Sequence, residues 1–106
     1  MSIVYQPGPS HPTGQFAWLV EIVAADGLTY NSITRDANNA VLSAVVTWPD
    51  NTPGVWTADI VSTAFLGVVD SYHVTYIGYV QKTVTQPAVT RNASGAITNQ
   101  PGLVVA

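Results

Sequence analysis

The chain contains no cysteine, and this absence excludes a disulfide framework, a thiolate zinc site and a cysteine nucleophile. Charge is also scarce, because charged residues make up only 8% of the 106 residues, against about 25% in an average soluble domain. The three cations are Arg35, Lys82 and Arg91, and the formal net charge is -3. So few dispersed cations cannot neutralise a run of phosphates, and we expect no nucleic-acid partner.

Long apolar runs are missing as well. The longest, around 16–25 and 60–69, are shorter than the roughly 20 residues that a membrane-spanning helix needs. The opening MSIVYQPGPSHPTG has neither a basic region nor an apolar core, so it does not predict a secretory signal peptide. We therefore expect no membrane span.

With so little charge, solubility must depend on Thr, Ser, Asn and Gln side chains. A surface of this kind has little charge repulsion between copies, and it is compatible with close packing into an assembly. A secreted or surface domain that relies on hydroxyl groups has the same composition, so composition leaves both interpretations open.

The residue types that usually carry catalysis are sparse. Of the two histidines, His11 lies in a proline-rich segment and His73 lies within a predicted strand. A triad of His73 with Asp70 and Ser71 fails, because successive strand residues point to opposite faces. Phosphate-binding loops, GxSxG elbows and HExxH motifs are absent from the sequence. We expect neither an enzyme nor a cofactor.

Two loops contain oxygen ligands that a cation could use. One holds Asp36 with Asn38 and Asn39, and the other holds Asp50 with Asn51. Calcium prefers about six to eight oxygens, often from several carboxylates, whereas each loop offers a single carboxylate. Capping of a turn by the aspartate explains both loops, so we predict no metal site.

The length fits one domain over residues 1–106. Residues 1–14 are predicted to form an extended arm, because the prolines of QPGPSHPTG fix φ and lack an N–H. Residues 15–85 are the predicted body, and residues 86–106 a C-terminal hairpin and last strand. The many short strands separated by turn residues predict an all-β fold, an antiparallel β-sandwich.

Residues 28–48 give the clearest local prediction, a β-hairpin. Its two arms are rich in β-branched and aromatic residues, Asp36 can cap the turn, and Asn39 tolerates a left-handed backbone. One face collects the apolar residues Ala40, Leu42, Ala44, Val46 and Trp48.

Other segments are less distinctive. Residues 16–24 fit either a strand buried on both faces or a short buried helix, and periodicity does not decide between them. Asp26-Gly27, which follows, predicts a tight turn. Residues 59–69 also have helical spacing, but Gly67 and the β-branched residues around it argue for strand and loop, and we favour strand. Residues 55–63 predict a strand, and residues 71–85 predict two strands with a kink near Gly78.

The tail repeats a turn. The sequence TRNASGAI (90–97) matches TRDANNAV (34–41) where a turn imposes its geometry: an Asx side chain at the start and a left-handed residue at the end. Gln-Pro pairs bracket this hairpin, and proline belongs at sheet edges. An edge or projecting hairpin could pair with another subunit, although folding against its own chain explains it equally well. The predicted assembly contacts are Gln86, Pro87, Arg91, Gln100 and Pro101.

The segment DSYHVTY (70–76) resembles the penultimate strand of immunoglobulin-like and fibronectin-III-like modules, and GVWTA (54–58) resembles an earlier strand of such domains. The resemblance covers residues 16–85, without the cysteine pair of antibody domains. It implies a sandwich in which Tyr72 packs as a corner and bonds to upstream backbone. It also implies a role in adhesion, spacing or decoration of cell surfaces and virions.

Together these features predict a non-enzymatic structural or interaction module that decorates or joins a larger assembly. A virion or an extracellular microbial surface is the expected location, and other protein subunits, including further copies, are the expected partners. The alternative is a carbohydrate-binding module in which Trp48 and Trp56, which flank one turn, form an aromatic platform for a sugar ring. Core packing is the competing explanation for both tryptophans.

Overall fold

The computed structural model describes residues 16–106, and the predicted arm at 1–14 lies outside this range. The elements in chain order are α1 (Ala17–Ala24), β1 (Thr29–Arg35), β2 (Val41–Thr47), β3 (Pro53–Val61), β4 (Val69–Ile77), β5 (Gln81–Gln86), β6 (Thr90–Arg91), β7 (Ile97–Asn99) and β8 (Val104–Val105). The helix is too short to cross a membrane, and the described part of the chain has no helix that could.

The strands form one large antiparallel sheet in the order β1-β2-β3-β4-β5-β8, and β6 pairs with β7 in a small separate sheet. Every neighbouring pair is antiparallel. The prediction of a mainly β, antiparallel fold is therefore confirmed. The layer that packs on the large sheet is α1, since its Leu19 and Ile22 lie in the core with Val46, Val74 and Val84.

The choice left open for residues 16–24 is resolved in favour of the helix. Its end is fixed by the backbone: the N–H of Gly27 donates to Ile22 O at 2.9 Å, and that of Asp26 donates to Val23 O at 3.2 Å. This is the Schellman pattern, with Asp26 in the left-handed conformation at φ 55. The predicted turn at Asp26 is thus the end of a helix.

The predicted hairpin at 28–48 is confirmed as β1 and β2. Asp36 Oδ1 accepts the backbone N–H groups of Asn38 at 2.8 Å and Ala40 at 3.0 Å. Asn39 takes the left-handed conformation, with φ 66. Arg35 Nη1 also donates to the Asn39 carbonyl at 2.9 Å, a contact that the turn sequence does not predict.

The tail hairpin repeats this turn bond for bond. Asn92 Oδ1 accepts the N–H groups of Ser94 at 2.9 Å and Ala96 at 3.1 Å. Gly95 has φ 86, and Arg91 Nη1 donates to its carbonyl at 2.8 Å. The shared loop type predicted for 34–41 and 90–97 is confirmed.

Residues 59–69 are strand at both ends and loop between them, so the preference for strand over helix is correct at the ends and is corrected in the middle. β3 ends at Val61 and β4 begins at Val69, and the residues between them form a loop. The Ser62 N–H donates to Val68 O at 2.9 Å, which closes the loop on itself. Gly67 has φ 89, and a Cβ there would lie 2.8 Å from Asn38 O. Gly67, left-handed and close to the Asn38 backbone, therefore lies in the loop between β3 and β4, where the two strands are not paired.

Three aromatic rings from different elements form the centre of the core. Trp18, Trp48 and Tyr76 meet edge to face, with centroids 5.6–6.1 Å apart. This is a favourable geometry for aromatic rings. The residues 71–85 that carry part of this core are β4, a turn and β5, as predicted.

Candidate functional site

The two tryptophans predicted as a platform have different environments. Trp48 is 1% exposed, and its Nε1 donates to the Thr75 carbonyl at 2.9 Å. It is a core residue and offers no face to a ligand. Trp56, on β3, is half-buried and stacks on Tyr72 of β4, with ring centroids 5.0 Å apart and planes inclined by 24°. The partly accessible pair is therefore Trp56 with Tyr72.

Strand register explains this stack. Trp56 pairs with Val74, and Ala58 pairs with Tyr72, so Tyr72 lies diagonally opposite Trp56 on the face that carries α1. Diagonal neighbours on one face are within reach of large side chains. The sequence contained a signal for the position of Tyr72, which is two residues from the core residue Val74 and therefore shares its face. The contact with Trp56 could not be predicted, because it depends on how β3 and β4 pair.

Two cavities lie on either side of the Trp56–Tyr72 stack. The larger has a volume of about 440 Å³ and lies between the end of α1, Tyr72, two glutamines and the C-terminal segment. Its lining residues are Val20, Val23, Ala24, Tyr72, Gln86, Gln100, Pro101, Gly102 and Leu103. The smaller, about 270 Å³, is lined by Tyr30, Ile33, Val41, Ala44 and Trp56. A helix of eight residues is about 12 Å long, whereas six strands span about 24 Å. The helix therefore leaves part of its face of the sheet uncovered.

One carboxylate influences both tyrosines of this region. The pKa of Tyr30 is raised by burial and by the nearby charge of Asp26, which also accepts a hydrogen bond from the Tyr30 hydroxyl. Burial and the same charge raise the pKa of Tyr72. Both phenols therefore stay protonated at neutral pH and can donate hydrogen bonds.

The opposite face of the sheet, which we term the open face, carries the side chains that alternate with the core. Cross-strand pairing places Ser43, Thr57, His73, Thr85 and Val104 in one row and Val45 beside Val55. Val45 is 46% exposed, Val55 37% and Val104 52%. This face combines exposed aliphatic side chains with hydroxyl groups.

A histidine–aspartate pair lies on the open face. His73 Nδ1 is 2.8 Å from Asp59 Oδ1 and 3.0 Å from Oδ2, and both side chains are about one-third exposed. Asp70, three residues before His73 on the same strand, instead accepts a hydrogen bond from Arg91 Nε at 2.7 Å. The sequence placed His73 correctly within a strand and missed Asp59, which lies on the adjacent strand.

The residues predicted as assembly contacts bind one another. Gln86 is 4% exposed, and its Nε2 donates to the carbonyls of Pro87 and Pro101, each at 2.9 Å. Gln100 Nε2 donates to Gln86 Oε1 at 3.3 Å. With the Arg91–Asp70 pair, these bonds tie the tail hairpin to the body. Three of the predicted contact residues, Gln86, Gln100 and Pro101, also line the larger cavity.

The two loops with oxygen ligands are capped turns. Asp36 binds backbone N–H groups of its own turn, and Asp50 Oδ1 accepts the Thr52 N–H at 3.0 Å. Tyr76 Oη donates to Asp50 Oδ2 at 2.6 Å. Across residues 16–106, no group of three or more His, Cys, Asp or Glu side chains is arranged to hold a metal ion.

No protein-family model matches this chain, and neither a curated protein nor a solved structure shows significant similarity to it.

Proposed function

We propose that the protein is a non-enzymatic module that joins or decorates a larger protein assembly, and that the open face is its contact surface. The observation that carries the proposal is that, among residues 16–106, no second helix or strand layer covers the face of the large sheet opposite α1. In residues 16–106 the large sheet packs against α1, which lies on the other face. A sheet usually buries its second apolar face against another layer. Exposed valines on an uncovered face are therefore suited to a partner.

The composition of the open face supports a protein partner. Val45 and Val55 are directly paired across β2 and β3 and supply an apolar centre. The threonines around them offer methyl groups and hydroxyls without the desolvation cost of charges. The Asp59–His73 pair supplies one polar contact that would fix orientation, and a role in orientation accounts for it without catalysis.

The second layer would be the sheet of another subunit. Sheets pack face to face about 10 Å apart, with interdigitating side chains. We propose that the sandwich predicted from the sequence is completed in this way, between copies of the chain. The immunoglobulin-like resemblance stays a prediction. The setting we propose is a virion or an extracellular microbial surface, where a charge-poor domain would be held among identical neighbours.

The test is the solution mass of the full chain by multi-angle light scattering over a range of concentrations. We expect a mass above the 11.2 kDa of the monomer, rising with concentration. Val45→Lys and Val55→Lys should each return the protein to a monomer, since a lysine ammonium would be buried in the interface without a partner. Tyr79→Lys is the matched control, because Tyr79 is 91% exposed in the turn between β4 and β5.

A wild-type chain that stays monomeric at every concentration would contradict the proposal. So would a normal oligomer in both valine variants, provided that urea unfolding shows them to be folded. An oligomer lost equally in the Tyr79→Lys control would place the contact at the β4–β5 turn instead.

A further inference from the structure

We infer that the larger cavity beside α1 is a binding site for a neutral sugar ring. This site is independent of the proposed subunit contact, because it opens on the helix-bearing side of the sheet. Its volume of about 440 Å³ lies within the range of roughly 300–1,000 Å³ that is typical of small-molecule sites.

The lining of the cavity selects for a neutral ligand. None of its nine lining residues is charged. A phosphate or carboxylate ligand would find no cation there, and an ammonium ligand would find no carboxylate among the lining side chains. The ligand must therefore satisfy apolar and hydrogen-bonding groups without a charge.

A pyranose ring matches the arrangement of these groups. Its C–H face can stack on an aromatic ring, and Tyr72 supplies such a ring in the cavity wall. The Tyr72 ring is held in place by its stack on Trp56, so it loses little freedom when a ligand binds. Aliphatic contact comes from Val20 and Val23 of α1. The site therefore combines a rigid aromatic surface with an apolar wall from the helix.

Hydroxyl recognition would come from the glutamine pair. Gln86 is nine-tenths buried and uses both N–H groups of its amide within the chain, on the carbonyls of Pro87 and Pro101. Gln100 donates one N–H to Gln86 and, among the described residues, keeps its other N–H and its Oε1 for a ligand. The buried Gln86 amide is therefore fixed in place, and it orients the exposed amide of Gln100. Gln100 is then a ligand-binding residue as well as a contact within the tail.

The neighbouring Gly102 leaves the mouth of the cavity open. A Cβ at this position would have no atom within 4 Å. A larger side chain can therefore be introduced there without a clash, and because Gly102 lines the cavity we expect it to narrow the entrance. This property provides a test that leaves the sheet and the core untouched.

The experiment is ¹H–¹⁵N NMR titration of the full chain with glucose, galactose, mannose and N-acetylglucosamine, and with disaccharides of each. We expect at least one of these sugars to shift the Gln100 side-chain amide and the Gly102 backbone amide. For a ligand of this size, a Kd on the order of millimolar is expected. Gly102→Leu should abolish the shifts, and Gln100→Ala should weaken binding by about tenfold, the loss of a ligand hydrogen bond. Gln81→Ala, an exposed glutamine at the start of β5, is the matched control and should bind as the wild type does.

The inference is overturned if no sugar on the panel shifts either amide when added at ten times the expected Kd. It is also overturned if the shifts cluster on the open face or persist in folded Gly102→Leu protein. A proline-rich peptide that shifts the same amides while the sugars do not would assign the cavity to a peptide partner. Loss of oligomers in Val45→Lys with unchanged sugar binding would separate this site from the subunit contact.

Discussion

A glycine determines how the most buried aromatic residue is held. Trp48 reaches across β3 to the Thr75 carbonyl, and it passes over Gly54 to do so. A Cβ at Gly54 would lie 1.9 Å from Thr75 O and 2.9 Å from Trp48 Nε1. Beside this contact, the Val55 N–H donates to Thr75 Oγ1 at 2.9 Å. Glycine is required at this position because two strands and an indole meet at one point.

Gly54→Ala should therefore be severely destabilising. The added methyl must displace backbone or break the Trp48 hydrogen bond, and overpacking together with an unsatisfied buried donor costs about 3 kcal/mol. Urea unfolding monitored by tryptophan fluorescence measures the loss. Gly102→Ala is the control, because its new methyl group meets open space. Similar unfolding midpoints for the two variants would show that β3 can shift to accommodate a side chain.

At the scale of elements, the two equivalent turns show which contacts a short sequence motif predicts and which it does not. Asp36 and Asn92 make the same backbone contacts, although one is a carboxylate and the other an amide. The arginine before each of them closes the turn by donating to the carbonyl of the left-handed residue. The Thr-Arg pair before each Asx residue is visible in the sequence. The hydrogen bond that each arginine makes to its turn is seen only in the structure.

This equivalence makes a prediction about the β1–β2 turn. Asp36→Asn should leave the free energy of unfolding within about 0.5 kcal/mol of wild type, because an asparagine already makes these bonds in the tail hairpin. Asp36→Ala should lose about 1 kcal/mol, since two backbone N–H groups lose their acceptor and must turn to water. Thermal and urea unfolding of both variants measure the difference. Equal losses in the two variants would mean that the carboxylate charge, rather than its hydrogen-bonding geometry, stabilises the turn.

Residues 16–24 show the limit of local patterns at this scale. FAWLVEIVA is apolar at nearly every position, so neither a period of two nor a period of 3.6 stands out. The helix is favoured because Leu19 and Ile22 fill the space over β2, β4 and β5. Its length and its end are fixed by Asp26 and Gly27, which the sequence did mark as a turn.

At the scale of the whole molecule, the three cations bind groups of their own chain. Arg35 and Arg91 each donate to a turn carbonyl, and Lys82 Nζ lies 4.8 Å from the centroid of the Phe16 ring. Arg91 also pairs with Asp70. All three cations of the chain thus make contacts within it.

The stability of the whole domain should depend on acid pH through Asp50. Partial burial acts to raise the pKa of Asp50, but hydrogen bonds from the Tyr76 hydroxyl and from Thr52 outweigh it and lower the pKa below its ordinary value of 3.8. A group with a depressed pKa in the folded state stabilises the protein above its unfolded-state pKa. That stability is lost as the pH falls through the folded-state pKa.

Tyr76→Phe removes the strongest of these hydrogen bonds. We expect it to lose about 1 kcal/mol at neutral pH, a modest value because solvent screens the exposed carboxylate. The difference from wild type should shrink as the pH falls below about 4. Urea unfolding at a series of pH values measures this, with Tyr79→Phe as the fully exposed control. A difference that is constant with pH would assign the effect of Tyr76 to packing instead.

Local structure could be predicted from the sequence: the hairpin at 28–48, the two equivalent turns, and the strand pair within 71–85. These features follow from side chains acting on backbone a few residues away, so their causes are contained in short segments. Which residues meet across strands depends on the tertiary structure: Trp56 with Tyr72, Asp59 with His73, and Gln86 with Gln100. The burial of Trp48, and the open face that residues 16–106 leave on the sheet, have the same origin. Strand order and register set these contacts, and both depend on how the whole chain fills its core, which no short segment encodes.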